Sequence, residues 1–143
     1  MIVKENSAEK VNSARDVAKV LSSILEMESK VDRDKEHFWI IGLNAMNVIK
    51  FIDLVSLGTL TSSLVHPREV FRVAVSRGGI AGIIAVHNHP SGDPAPSRED
   101  IGVTERLKKA GDILGVQVLD HVVIGDGETF VSFQEQGIFS NPK

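Results

Sequence analysis

Apolar residues recur every three to four positions in three segments of the chain, a spacing typical of helices with one buried face. Ser13 caps the first segment, whose apolar face runs from Val17 to Leu25. The second begins at His66-Pro67, where proline suits the first helical position, and ends at Gly78-Gly79. The third extends from Arg98 to about Leu114. The pattern therefore predicts three helices, each with a face to place against a core.

Uninterrupted apolar runs lie between these helices and predict strands that are buried on both faces of a sheet. A turn signal at Asp126-Gly127 precedes the last strand. The predicted strands are residues 37–43, their hairpin partner 48–57, the central strand 80–87, two short strands at 116–119 and 122–124, and a returning strand at 129–133. Elements in this order predict an α/β fold, a single domain with a mixed β-sheet flanked by helices on both sides.

The length of 143 residues fits one domain. Residues 1–12 are polar and show no periodicity, so we expect a flexible N-terminal tail before a folded domain at 13–143. The chain has 42% hydrophobic residues, 24% charged residues and a net charge of −3. This balance offers no basic excess for a phosphate backbone, and direct nucleic-acid binding is not expected.

Cysteine is absent, which excludes disulfides and thiolate metal ligands. No apolar run reaches the length of a membrane span or follows a basic start as in a signal peptide. We therefore expect a cytoplasmic protein with no membrane partner. The pattern leaves the oligomeric state open.

His87 and His89 stand at the end of the predicted central strand. Side chains two positions apart in an extended strand leave from the same face, so both imidazoles can point at one position beyond the strand end. Catalytic zinc sites use three protein ligands and leave a fourth position to water. The loop 90–96 can fold back and bring Asp100, in the first turn of the next helix, beside the histidines. His87, His89 and Asp100 are therefore the predicted metal ligands.

A simpler interpretation of these residues needs no metal. Histidines at a strand end often serve only as hydrogen-bonding residues, and Ser97 with Asp100 three positions later is a helix-capping pattern. Capping and metal binding are compatible roles. The combination of four such residues at these offsets favours the metal site.

Hydrolysis at such a site also needs a carboxylate that takes a proton from the activated water and passes it to the leaving group. Glu36 directly precedes the buried strand 37–43 and so can stand at the sheet edge. The other glutamates considered, Glu69, Glu99 and Glu105, lie on predicted helices. Glu36 is the predicted base; the alternative is that it is one more charge in a solvated turn.

The spacing of the motif residues, His87-x-His89, seven residues, Ser97, two residues, Asp100, resembles the motif of the JAMM, or MPN-plus, metallopeptidase family. The words His-Asn-His-Pro-Ser-Gly at 87–92 and Asp-His-Val-Val-Ile-Gly at 120–125 are similar to the RadC-type bacterial branch. The similarity extends from about Glu36 to Phe133. RadC-type proteins usually carry a further N-terminal helical region, whereas this chain has one amphipathic helix before the catalytic part.

The resemblance implies a JAMM fold, which is similar to the cytidine-deaminase architecture, with one Zn²⁺ per chain and a peptide or protein substrate. It implies that Glu36 matches the family's catalytic glutamate and that Ser97 polarises the scissile carbonyl or holds the oxyanion. Asp120 and His121 are singled out by the resemblance alone. Because His121 precedes an apolar strand, we expect it to be a structural hydrogen-bonding residue rather than a ligand.

The leading hypothesis is a zinc-dependent hydrolase that cleaves a peptide or isopeptide bond. The alternative is a non-catalytic or metal-stabilised interaction module associated with DNA repair or recombination, against which the retained ligand positions argue. A metal-dependent nuclease is disfavoured. In the nuclease motif named His-Asn-His, the three residues are spread over a hairpin and a helix, whereas in this chain they are consecutive. Iron, cobalt or manganese would also suit nitrogen and oxygen ligands.

Overall fold

The computed structural model describes residues 1–58 and 65–139 of the chain. The strands in these ranges are β1 (Ile2–Glu5), β2 (His37–Leu43), β3 (Ile49–Leu57), β4 (Gly82–Asn88), β5 (Gln117–Ile124) and β6 (Phe130–Ser132). The helices in the same ranges are α1 (Ala14–Glu26), α2 (Lys30–Arg33), α3 (Pro67–Val70), α4 (Arg72–Arg77) and α5 (Arg98–Leu114). The last residues of the predicted domain, 140–143, lie outside the described residues. None of the helices in the described ranges has the length and apolar composition to cross a membrane.

The described strands form one mixed sheet in the order β1-β3-β2-β4-β5-β6. Neighbouring strands are antiparallel except β4 and β5, which run parallel because the chain returns through α5 between them. The central strands β2 and β4 are buried along their whole length. The predicted α/β fold with a mixed sheet is confirmed.

Alternate side chains of β2 enter two cores on opposite faces of the sheet. Phe38 and Ile40 pack in the core covered by α3, α4 and α5. Trp39 and Ile41 pack in the core covered by α1. Because both faces are covered, this strand is a continuous apolar run rather than an alternation of apolar and polar residues.

The first residues do not form the flexible tail that their polarity predicts. Ile2–Glu5 form the edge strand β1, which pairs antiparallel with β3. Val11 is buried in the core on the α1 side. An edge strand takes its main-chain hydrogen bonds from one neighbour and is often polar, so the composition of residues 1–12 carried no strand signal.

Two further elements differ from their predictions. The helix predicted to start at Pro67 is divided into α3 and α4 at Phe71, whose backbone (φ −95°, ψ 0°) caps the end of one and the start of the other. Residues 117–124 form the continuous strand β5 rather than two short strands. The polar interruption at Asp120 is accommodated, because its carboxylate accepts hydrogen bonds from Ser132 Oγ at 2.6 Å and from the Gln134 N–H at 2.9 Å.

Gly111 allows α5 to lie close to the sheet. A Cβ atom at this position would overlap the carbonyl oxygen of Val116 and lie 3.4 Å from the Phe71 ring. Gly111→Ala should therefore lower the free energy of unfolding by about 1–3 kcal/mol, although alanine is the better helix former. Urea denaturation measures this change.

Gly102→Ala, on the same helix, is the matched control for Gly111→Ala. Among the described residues, nothing lies within 4 Å of a Cβ placed at Gly102. The control should therefore stabilise the protein by about 0.5–1 kcal/mol through helix propensity. Equal effects of the two substitutions would contradict the close approach at Gly111.

Candidate metal centre

The start of β2 and the end of β4 lie side by side because the two strands are antiparallel. Phe38 pairs with His87 in their register. Glu36, two residues before Phe38, therefore stands at the same edge of the sheet as His89, two residues after His87. The chain then turns back, and α5 begins at this edge with Asp100 in its first turn. Three separate elements thus bring the predicted residues to one end of the sheet.

His87, His89 and Asp100 place their ring nitrogens and carboxylate oxygens in mutual contact. The Nε2 atoms of His87 and His89 are 3.0 Å apart. Asp100 Oδ1 lies 3.0 Å from His87 Nε2, and Asp100 Oδ2 lies 3.1 Å from His89 Nε2. His87 and Asp100 are buried, whereas His89 is half-buried, so the group can be reached from one side. The structure brings all three predicted ligands together.

The protons of this group explain why a cation fits it. His89 Nδ1 lies 2.8 Å from the carbonyl oxygen of Asp93, so this nitrogen carries a proton. When Nε2 is also protonated, it donates to Asp100 Oδ2, and the Nε2 atom of His87 lies 3.0 Å away. A divalent cation can replace the protons that join these nitrogens to the carboxylate, because it binds unprotonated nitrogens and a carboxylate together.

Glu36 stands beside the candidate ligands. One carboxylate oxygen of Glu36 and one ring nitrogen each of His87 and His89 lie within 4.8 Å of one another. The hydrogen bond to Asp100 raises the pKa of His89 against the effect of burial, and the negative charge of Glu36 acts in the same direction as that bond. The structure thus brings the predicted base to the same cluster as the histidines.

Asp100 serves both the helix and the site. Its Oδ2 accepts the Ser97 N–H at 2.8 Å, and Ser97 Oγ accepts the Asp100 N–H at 3.1 Å, which completes the capping box predicted for α5. Burial opposes ionisation, but hydrogen bonds from His87 and His89 hold the pKa of the Asp100 carboxyl well below its usual range. Asp100 is therefore an anion at neutral pH, the state that binds a cation.

His121 lies behind His87 rather than among the candidate ligands. Its Nε2 is 2.8 Å from His87 Nδ1, and its Nδ1 is hydrogen-bonded to Thr104 Oγ1. Burial lowers the pKa of His121 well below its ordinary value, so its ring is neutral. The sequence pattern assigned no role to Thr104.

Asn88, the middle residue of the His-Asn-His sequence, holds the backbone on either side of Glu36. Its Oδ1 accepts the His37 N–H at 2.6 Å, and its Nδ2 donates to the Lys35 carbonyl oxygen at 3.0 Å. One buried carboxamide therefore bonds the residues before and after the predicted base. The sequence pattern assigned no role to Asn88. Its position between two predicted ligands was the one feature of the sequence that could have indicated a role.

The His37 side chain fixes the same backbone from the other direction. Its Nδ1 donates to the Lys35 carbonyl oxygen at 2.8 Å, and its Nε2 lies 2.7 Å from Glu28 Oε1. The ring stacks on Trp39 with centroids 4.9 Å apart. The backbone that carries Glu36 is thus bonded through two side chains, each anchored in a buried strand.

A family model that describes RadC-like JAB domains matches residues 11–138 of the chain. The chain belongs to the RadC-like JAB domain family. This confirms the family predicted from the motif, and the mixed sheet with helices on both faces is consistent with a JAB fold. The residues of the candidate centre, from Glu36 to His121, all lie within the matched range.

Curated relatives in this family share about half of their residues with the chain over the matched part. The UPF0758 protein of Caldanaerobacter subterraneus subsp. tengcongensis is 51% identical over 129 residues, which is 90% of this chain and 52% of the relative. The UPF0758 protein of Desulforamulus reducens is 53% identical over 114 residues, 80% of this chain and 49% of the relative. The chain thus spans about half the length of these relatives. The names of these relatives state no activity, so any function of the chain has to be inferred from the geometry of the site.

Asn88→Ala should lower the free energy of unfolding of the metal-free protein by about 1–3 kcal/mol, because it leaves the buried His37 N–H without its acceptor. Asn44→Ala is the matched control. Asn44 Oδ1 also accepts two main-chain N–H groups, those of Met46 and Val48 at 2.9 and 3.0 Å, but in a turn near the surface. Water can replace the lost acceptor there, so the control should cost less. Guanidinium denaturation compares the two, and a smaller loss for Asn88→Ala would contradict the assigned role.

Proposed function

We propose that this chain is a zinc-dependent hydrolase that cleaves a peptide or isopeptide bond. The observation that carries the proposal is the position of Glu36, whose carboxylate lies within 4.8 Å of the His87 and His89 nitrogens, which Asp100 also contacts. A catalytic zinc site uses three protein ligands and leaves the fourth position to water, and a carboxylate beside that position can accept the proton of the water. The proposed metal ligands are His87, His89 and Asp100, and the proposed base is Glu36.

The proposed reaction adds water across the scissile bond. When bound, zinc supplies a Lewis acid that lowers the pKa of a water molecule to about 7. Glu36 accepts a proton from this water as the water oxygen bonds to the carbonyl carbon of the substrate. When the carbon–nitrogen bond breaks, Glu36 gives the proton to the leaving amine. Glu36 is then restored, and the reaction consumes no other reactant.

Ser97 is proposed to stabilise the negative charge that develops on the carbonyl oxygen of the substrate. In the capping box its Oγ accepts the Asp100 N–H, and this role does not use the proton of its own hydroxyl. Ser97 is exposed at the first turn of α5, so a substrate can reach it. The same hydroxyl can therefore cap the helix and donate to the substrate.

An open groove beside Glu36 offers space for a substrate. It has a volume of about 390 Å³ and is lined by Asp34, Lys35, Glu36, Gly58 and Pro90. Its lining mixes acidic and basic side chains, and the chain carries a net charge of −3. Both features favour a peptide or protein over a nucleic-acid backbone as the substrate.

Glu36→Gln should keep bound zinc and lower the rate of hydrolysis by at least about 100-fold, because glutamine cannot accept the proton. Elemental analysis measures the zinc content of the purified variant. Mass spectrometry of a peptide mixture that includes isopeptide-linked peptides measures cleavage. His89→Ala, prepared in parallel, should lose the zinc.

Glu99→Gln is the matched control for Glu36→Gln, because it neutralises an exposed carboxylate in the first turn of α5. It should keep both zinc and activity. Wild-type turnover in Glu36→Gln would contradict the assignment of the base. A zinc-loaded wild-type protein that cleaves no peptide in the mixture would contradict the proposed activity and favour the interaction module.

Ser97→Ala should lower the rate of hydrolysis on the order of a hundredfold through loss of a donor to the oxyanion, and the stability by about 1 kcal/mol through loss of the helix cap. Ser97→Gly separates the two effects, because glycine at this position costs only about a few tenths of a kcal/mol. The glycine variant should therefore be slow at nearly wild-type stability. Full turnover in Ser97→Gly would show that the hydroxyl takes no part in catalysis.

A further inference from the structure

A buried chain of hydrogen bonds runs from His87 through β5 to α5. His87 Nδ1 is 2.8 Å from His121 Nε2, and His121 Nδ1 contacts Thr104 Oγ1. The Thr104 hydroxyl donates to the carbonyl oxygen of Asp100 at 2.9 Å. Because Asp100 Oδ1 is 3.0 Å from His87 Nε2, these contacts close into a ring that joins two proposed metal ligands. We call this set, His87, His121, Thr104 and Asp100, the hydrogen-bond ring.

The proton positions in the hydrogen-bond ring follow from its donors and acceptors. Thr104 gives its single hydroxyl proton to the Asp100 carbonyl oxygen, so its Oγ1 accepts a proton from His121 Nδ1. A buried His121 that donates from Nδ1 keeps a lone pair on Nε2, which accepts from His87 Nδ1. A metal ion would then bind His87 through Nε2, in place of the proton that bonds this nitrogen to Asp100.

Packing fixes the planes of the two imidazoles. His121 stacks on Phe133 with ring centroids 4.6 Å apart and an interplanar angle of 21°, and it meets Phe38 edge-on at 6.0 Å. His87 and His121 are both 0% exposed. A mispaired donor in such a place carries the full cost of desolvation, so the hydrogen-bond ring strongly prefers one arrangement of its protons.

We propose that His121 and Thr104 are positioning residues of the metal centre, which hold His87 in the tautomer whose Nε2 lone pair faces the metal. This inference rests on the metal site of the proposed function. Metal-binding histidines usually donate their other N–H to a carboxylate or carbonyl oxygen, as His89 does to Asp93. For His87 the acceptor is a neutral imidazole. His121 therefore orients His87 without adding a second buried anion near Asp100.

Four variants test the hydrogen-bond ring with Zn²⁺ alone as the probe. His121→Leu removes the acceptor for His87, whereas His121→Gln offers an amide oxygen and an amide N–H in its place. Thr104→Val removes the hydroxyl at nearly constant shape, and Thr104→Ser keeps it. Competition with a chromophoric chelator measures zinc affinity. It should fall about 10–100-fold in His121→Leu and about 10-fold in Thr104→Val, and glutamine and serine should restore most of the loss.

Long-range proton–nitrogen NMR of ¹⁵N-labelled, metal-free protein reads the tautomers directly. In the wild type and in Thr104→Ser, His121 should be protonated at Nδ1 and unprotonated at Nε2. In Thr104→Val this preference should weaken while the protein stays folded. If His121 and Thr104 only filled space, their substitution would leave the tautomers of the neighbouring histidines unchanged. Glutamine at position 121 would then not restore the zinc affinity lost in His121→Leu.

Two results would overturn the inference. One is a wild-type His121 that is protonated at Nε2; the other is wild-type zinc affinity in folded His121→Leu and Thr104→Val. If His121→Leu does not fold, Thr104→Val and its serine control decide the question. No substrate enters these measurements. A failure to cleave peptides would therefore contradict the proposed function alone, and unchanged zinc affinity in the variants would contradict this inference alone.

Discussion

The antiparallel pairing of β2 with β4 is the constraint on which the candidate centre depends. It sets Phe38 opposite His87, and so brings Glu36 to the edge where the histidines end their strand. A slip of one residue would move every side chain of a strand to the opposite face. The register is held because Phe38 and Trp39 are buried in cores on opposite faces of the sheet. Burial of these large side chains thus determines where the candidate centre lies.

The candidate centre lies at the ends of two buried strands and in the first turn of α5, and its polar groups are satisfied by partners that extend into the core. Asp100 is held by the cap of α5 and by two histidines, and His87 is backed by His121. Unpaired polar groups at such depth would be costly, so a network that pairs them also limits how the ligands can move. The same hydrogen bonds that stabilise the fold therefore hold the proposed metal ligands in place.

Local spacing explains why much of the site was predictable from the sequence. The pair His87 and His89 follows from the two-residue period of a strand, and the pair Ser97 and Asp100 follows from the first turn of a helix. Glu36 was harder, because its approach to the histidines depends on strand pairing across 51 residues, the separation of the Asn88 and His37 hydrogen bond. The edge strand β1 was missed because pairing with one neighbour needs little apolar pattern.

The sequence by itself determined α1, α5 and the central strands, the two-sided burial of β2 and β4, and the choice of His87, His89 and Asp100 as proposed ligands, because each depends on residues close together in the chain. Only the tertiary structure decided the strand order, the joining of residues 117–124 into one strand, and the hydrogen-bond partners of Asn88, Thr104 and His121. Asn88 bonds His37 and Lys35. Thr104 bonds His121, which in turn bonds His87. In each case the partner is distant in the chain. No periodicity records such contacts, since they exist only when separate elements pack together.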